Sequence, residues 1–358
     1  MPQYTHGGDV LTASVRYGGP VLDCSANLNP LGLPPAVGEA AAEAARTAAP
    51  YPDPLCRALR AAIAAHDGVE PEQMLCGGGA ADLIFRLVYA LRPRRALVTA
   101  PAFSEYEAAL AQTGCAVTRH LLRRENRFDA DGSLLDAIGP GTDLVFLCTP
   151  NNPTGRLIDP ALLLAAAERC RAVGAILAVD ECFLPLSDGA GAGLAPYLGQ
   201  FPNLVLLRAF TKSWAMAGLR LGYALCGDGE LLERLAAAGP PWAVSAPAQA
   251  AGLAALRDCP DWPERARALL AAERPALTAA LAALGLEVLP SQANYLLFRA
   301  AGIYDLKERA LERGVLIRAC GNYPGLGPDW YRVCVGGREQ NGRLLAALKE
   351  ALSWQRRS

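Results

Sequence analysis

Five short, almost uninterrupted apolar runs constrain this chain more than any other feature. They are 96–100 (ALVTA), 143–149 (DLVFLCT), 175–180 (AILAVD), 203–208 (NLVLLR) and 221–226 (LGYALC). A strand with one wet face alternates apolar and polar residues, whereas a run that is apolar at nearly every position is buried on both faces. Amphipathic stretches at 104–113 and 160–173 lie between the runs, so the expected core is an α/β, mostly parallel mixed sheet between helices. Residues 36–48, 55–66 and 80–91 also read as helices, the last directly after Gly77-Gly78-Gly79. Beyond residue 250 the pattern changes. A helix pair over 261–284 precedes short strands near 286–289, 294–299, 315–318 and 331–335, with a closing helix at 339–354. The expected organisation is a large domain over 47–250 and a smaller α+β domain built from 1–46 and 251–358.

Composition narrows the function classes. A chain of 358 residues that is 52% hydrophobic and 19% charged can bury a large core in two domains. The net charge of −1 and the lack of a basic stripe argue against a nucleic acid partner. The 11 cysteines sit mostly in apolar runs without C-x-x-C spacing, which predicts reduced thiols in a cytoplasmic protein. Only three histidines occur, none four residues from another, so no histidine-based metal site is expected. No secretory leader is read at the start, and no apolar stretch approaches the ~20 residues of a membrane span.

Ligands in doubly wound sheets gather at the carboxyl ends of the strands. Here those ends carry chemistry. Thr149-Pro150-Asn151-Asn152-Pro153-Thr154-Gly155 follows one run, and Asp180-Glu181 ends another. Ala209-Phe210-Thr211-Lys212-Ser213 follows a third and leads into Gly218-Leu219-Arg220-Leu221-Gly222. Taken singly, each has a plain structural reading: an ion-paired lysine, a capping aspartate, a turn asparagine before proline. Together they place an amide, a carboxylate and a lysine flanked by a hydroxyl and an arginine at neighbouring strand ends.

That set resembles the fold-type I enzymes that depend on pyridoxal 5′-phosphate (PLP), the aminotransferase class that includes histidinol-phosphate aminotransferase, and the likeness spans essentially the whole chain. The resemblance implies that Lys212 holds the cofactor aldehyde and shuttles protons, that Asp180 accepts a hydrogen bond from the pyridine nitrogen, and that Asn152 donates to the ring O3′. It assigns the cofactor phosphate to Gly79 and the backbone amides of Ala80 and Ala81 at a helix start, with the Thr211 hydroxyl and the Arg220 fork. Phe103 matches an aromatic that stacks on the ring. Tyr51 matches a tyrosine that reaches the neighbouring subunit's cofactor, which implies a homodimer with a shared active site. One departure stands out: Phe183 occupies a place where many relatives carry a tyrosine.

The choice of reaction rests on further segments. His6-Gly7-Gly8, Asp23 to Gly32, Phe146 to Pro150, Pro241 to Val244, Ala293 to Leu297 and Ile317 to Leu326 resemble the L-threonine-O-3-phosphate decarboxylases of cobalamin biosynthesis. These are carbon–carbon lyases that release CO₂ and (R)-1-amino-2-propanol O-2-phosphate. The resemblance implies a small phosphorylated amino acid as substrate and an anion-binding role for Arg332. His6, Asn29, Arg318 and Asn322 are candidates for the second anionic end, and Arg338 and Arg343 lie near the same end of the chain. Two alternatives stay open: an aminotransferase for histidinol phosphate or an aromatic amino acid, and a PLP-binding regulator or catalytically silent interaction module.

Overall fold

The computed structural model describes residues 6–353. Its strands form three sheets. The short β1 (Leu22–Asp23) stands outside the main sheet. That sheet contains β2 (Met74–Gly77), β3 (Arg95–Ala100), β4 (Ala116–Leu121), β5 (Leu144–Cys148), β6 (Ile176–Asp180), β7 (Leu204–Ala209) and β8 (Gly222–Cys226), in the spatial order β2-β8-β7-β6-β5-β3-β4. β3 to β7 run parallel to their neighbours within that set. β8 is antiparallel to both β7 and β2. The chain returns into β8 by a hairpin-like link in which the Phe210 amide donates to the Leu221 carbonyl at 3.2 Å.

The apolar runs are buried for the reason their composition suggests. Val145 and Leu147 of β5, Leu177 and Val179 of β6, and Leu204 and Leu206 of β7 enter one core. The intervening Phe146, Ala178, Val205 and Leu207 enter another on the opposite face. Each fully buried leucine or valine contributes about 1.5–3 kcal/mol. β4 shows why it escaped the sequence reading. It is an edge strand with the charged Arg119 and the polar His120 in its register, so no apolar run marks it.

A smaller antiparallel sheet follows, with β9 (Glu287–Val288), β10 (Tyr295–Arg299), β12 (Arg318–Ala319) and β13 (Trp330–Cys334) in the order β12-β13-β10-β9. The stretch expected as one strand at 315–318 divides. β11 (Val315–Leu316) pairs in parallel with β1, and β12 joins β13. The expected helix pair at 261–284 is one helix, Trp262–Ala283, that runs through Pro275. The closing helix is Arg338–Ser353, and position 354 of the expected helix lies outside the described residues.

The described part of 1–46, residues 6–46, does not pack as one piece with the smaller sheet, and residues 1–5 lie outside the described residues. Cys24 enters that sheet's core. The Pro35–Arg46 helix, however, inserts Val37 and Ala41 into the core of the large sheet, beside Ala248 and Ala251 of the Ala246–Asp258 helix. The boundary expected at 250 cuts that same helix. Among the described residues, no helix is long and apolar enough to cross a membrane.

Candidate active site

The parallel run of β5, β6 and β7 brings three strand ends to one edge of the sheet. Asp180, the last residue of β6, is buried. Its Oδ2 accepts a hydrogen bond from the Tyr106 hydroxyl at 2.7 Å, and its Oδ1 accepts from the Cys182 amide at 3.0 Å. Tyr106 comes from the Glu105–Ala111 helix and stacks on Phe146 with ring centroids 4.9 Å apart. Burial, and next the Asp180 carboxylate, hold the Tyr106 phenol well above its ordinary pKa, so it stays a donor. The sequence reading missed Tyr106. Only its place three residues after Phe103 in an amphipathic stretch marked it.

Lys212 lies in the short helical turn Phe210–Ser213 that follows β7. Burial, and then the positive charge of Arg332, lower its pKa to about 8, while Cys182 and Asp180 pull the other way. Its amine sits 5.2 Å from the centre of the Phe183 ring. The turn is braced from the amino-terminal segment. The Asn29 amide donates to the Lys212 carbonyl at 3.0 Å, and Asn29 Nδ2 donates to the Ser213 carbonyl at 2.7 Å. With Asn29 Oδ1 accepting from the Leu31 amide at 2.8 Å, both ends of this side chain are occupied by backbone. Asn29 is therefore a strut for the lysine turn, and its second Nδ2 hydrogen and second Oδ1 lone pair remain for a ligand.

The helix Ala80–Leu91 begins at the end of β2, and its first amides have no carbonyl four residues before them within the helix. Gly79 sits at φ +92°, and a Cβ there would lie 2.8 Å from Nη2 of Arg220. Gly222 likewise leaves room for the Ala80 nitrogen, which a Cβ would meet at 2.8 Å. Arg220, Gly79, Ala80 and Ala81 thus converge. Thr211 is buried in the lysine turn. Phe103 meets Tyr106 edge-on at 5.7 Å, and the His6 ring tilts against Phe103 at 6.0 Å.

The smaller sheet supplies two buried arginines. Arg318 and Arg332 are direct register partners across β12 and β13, 7% and 5% exposed. Arg332 donates to Asn152 Oδ1 and, at 2.9 Å, to the Ser25 carbonyl, while its Nε is buried without a protein partner. That contact turns the Asn152 oxygen away and leaves its nitrogen as the group that can donate. Arg318 donates to Asn322 Oδ1 at 2.9 Å, so these two candidates act together. A cavity of about 510 Å³ is lined by Arg318, Ser25, His6, Arg16 and Lys307. His6 Nε2 lies 2.8 Å from a Glu105 carboxylate oxygen. Tyr51 is the outlier: it is 79% exposed and stacks on Trp242 at 4.6 Å.

Residues 20–348 match the model of the aminotransferase class I and II family. The chain belongs to that family. Threonine-phosphate decarboxylase of Salmonella typhimurium is 40% identical to this class I/II chain over 97% of its length and 96% of the relative's. Histidinol-phosphate aminotransferase of Methanothermobacter thermautotrophicus is 35% identical over 92% and 88%. Among solved structures, histidinol-phosphate aminotransferase from Clostridium acetobutylicum superposes with a TM-score of 0.86 at 26% identity, covering 93% of this chain and 99% of its own. L-threonine-O-3-phosphate decarboxylase from Porphyromonas gingivalis superposes with a TM-score of 0.80 at 25% identity, covering 92% and 99%.

Proposed function

We propose that this chain is a PLP-dependent decarboxylase that converts L-threonine O-3-phosphate to (R)-1-amino-2-propanol O-2-phosphate and CO₂ in cobalamin biosynthesis. The observation that carries this reading is the pairing of Arg318 with Arg332. Like charges directly opposite in a sheet are destabilising, and these two are buried side by side. A substrate with a carboxylate at one end and a phosphate at the other neutralises both. Histidinol phosphate and aromatic amino acids each carry one anionic end, whereas the 2-oxoglutarate of an aminotransferase carries two, so the release of CO₂ without an oxo acid is what separates the readings. The 40% identity to a threonine-phosphate decarboxylase points the same way.

The residues present fit a phosphorylated aldehyde cofactor. A buried lysine with a lowered pKa, an aspartate fixed by two donors, and a helix start where a glycine makes way for an arginine form a set that suits it. When bound, PLP supplies an electron sink for the pair left when a bond to Cα breaks. Lys212, neutral in part near neutral pH, would hold the cofactor through its aldehyde and would move a proton at the substrate carbon. Asp180, oriented by Tyr106 and the Cys182 amide, would accept the hydrogen of the pyridine nitrogen. Asn152, with its oxygen engaged by Arg332, would donate through Nδ2 to O3′. The Ala80 and Ala81 amides, Gly79, Thr211 and Arg220 would hold the cofactor phosphate, and Phe103 would lie against the ring. Arg332 takes the substrate carboxylate, while Arg318, with Asn322 and His6 nearby, takes its phosphate. The exposed Tyr51 completes the site of a second copy, so the working unit is a homodimer in the cytoplasm.

Incubating the protein with PLP and L-threonine O-3-phosphate should release CO₂ with no 2-oxo acid present. A strict need for 2-oxoglutarate, with conversion of the cofactor to its pyridoxamine form, would make it an aminotransferase instead. Absence of CO₂ from both this compound and L-serine O-phosphate rejects the decarboxylase.

A further inference from the structure

Beneath the strand ends lies a buried ionic cluster that the chemistry above does not use. Arg208 of β7 donates through Nε to Glu181 Oε2 at 2.8 Å, and its Nη2 lies 2.6 Å from the same oxygen. Its Nη1 reaches Asp67 Oδ2 at 2.9 Å, and that oxygen also accepts from the Tyr223 hydroxyl at 2.8 Å. Glu181 Oε1 accepts from the Leu194 amide at 2.8 Å, and His66 Nδ1 lies 2.8 Å from Asp67 Oδ1. The Glu181 and Asp67 side chains are 0% and 3% exposed, so these charges are removed from solvent screening.

The placement of the cluster gives it a meaning. Successive side chains on an extended segment face opposite ways, so Glu181 turns from the site while Asp180 faces it. The Glu181 amide makes the last backbone rung between β6 and β7, to the Leu207 carbonyl at 2.9 Å. Beyond it the β6 segment leaves the sheet toward Phe183, while β7 stays paired with β8 through Ala209 and then leads to Lys212. The Arg208–Glu181 pair is a side-chain rung past the end of that ladder. Arg208 and Tyr223 are register partners across β7 and β8, and Asp67 bridges them, so the brace extends to the strand that follows Arg220.

We propose that Arg208 is a positioning residue: with Glu181, Asp67 and Tyr223 it fixes the spacing of the strand ends that carry Asp180, Lys212 and Arg220. The fold keeps space for this brace. A Cβ at Gly193 would lie 2.6 Å from Arg208 Nη2 and 3.5 Å from Glu181 Oε2, so an alanine there wedges the ion pair without removing a charge. The proton affinity of Lys212 depends in part on Asp180 and Arg220, so a change in spacing moves it.

The proposal rests on the PLP reading, and its test separates the two. Arg208→Lys, Arg208→Leu, Glu181→Gln and Gly193→Ala are compared with wild type as holoenzymes. The measurements are kcat, KM, thermal unfolding, and a pH titration of the visible absorbance of the lysine-linked cofactor. Displacements of an ångström cost on the order of 10- to 100-fold in rate. That loss is expected in kcat for Glu181→Gln and Gly193→Ala, with KM little changed and the titration midpoint moved. Arg208→Lys should retain more activity than Arg208→Leu. Should Arg208→Leu fail to fold, the three milder variants decide. Variants with a wild-type titration overturn the proposal, whether or not their unfolding temperature falls. A wild type that forms no visible band overturns the PLP reading and this proposal with it; a wild type with the band and indistinguishable variants overturns the brace alone.

Discussion

Lys212 shows what burial does to a single group. A lysine in water titrates near 10.4. In this site burial first, and Arg332 second, bring the amine down to about 8. Below that pH the neutral fraction grows about tenfold per unit, and above it the gain levels off. The rate at which apoenzyme recombines with PLP, followed by absorbance, should rise in that way and flatten above pH 8. A rise that continues to pH 10 would mean that the amine is not held as described. The same shift has a sign for stability. With its pKa lower folded than unfolded, Lys212 leaves the unfolded chain holding more protons between pH 8 and 10, so the apoprotein gains stability as pH rises through that window. That Lys212, Asp180 and Asn152 lie at neighbouring strand ends was legible in the sequence, because each sits in a short motif at the end of an apolar run. Tyr106 was not, because its partner is 74 residues away and a tyrosine on an amphipathic helix reads as core. The bracing role of Asn29 was hidden for a similar reason: its partner, the Ser213 carbonyl, lies 184 residues further on.

At the scale of elements, the strands buried on both faces were readable and the exceptions are instructive. β4 carries charges because it forms the sheet edge, and an edge needs no continuous apolar run. The antiparallel direction of β8 is set by the tight return through the lysine turn, which composition does not encode. The stretch 261–284, expected as a helix pair, is one Trp262–Ala283 helix that continues through Pro275 because Leu270 and Leu277 on either side of it enter the same core. The β12–β13 pair carries a functional expectation of its own. Hydrogen bonds to charged groups contribute about 1.5–3 kcal/mol, so Arg318→Gln should raise KM for L-threonine O-3-phosphate by roughly 10- to 100-fold. Steady-state kinetics showing an unchanged KM would place the phosphate elsewhere.

For the whole molecule, the division into a larger, mostly parallel sheet and a smaller antiparallel one was legible, while the boundaries between them were not. The Pro35–Arg46 helix and the Ala246–Asp258 helix lie against each other, so a cut at 46 and 250 divides a single packed unit. Exposed Tyr51, stacked on Trp242, makes the assembly testable. Tyr51→Ala and Lys212→Ala should each be nearly inactive alone, and refolding them together at equal amounts should restore roughly a quarter of wild-type activity through mixed dimers that hold one intact site. Mixtures no more active than the parents would confine each site to its own chain. The twin guanidinium groups on neighbouring strands also bear on how a catalytic cycle ends. The proposed reaction discards one of the two negative groups as a neutral gas, and the molecule left behind satisfies only one of the two cations. The enzyme's grip therefore weakens in the act of turnover, so departure of the amine product is favoured by electrostatics without any lid having to open.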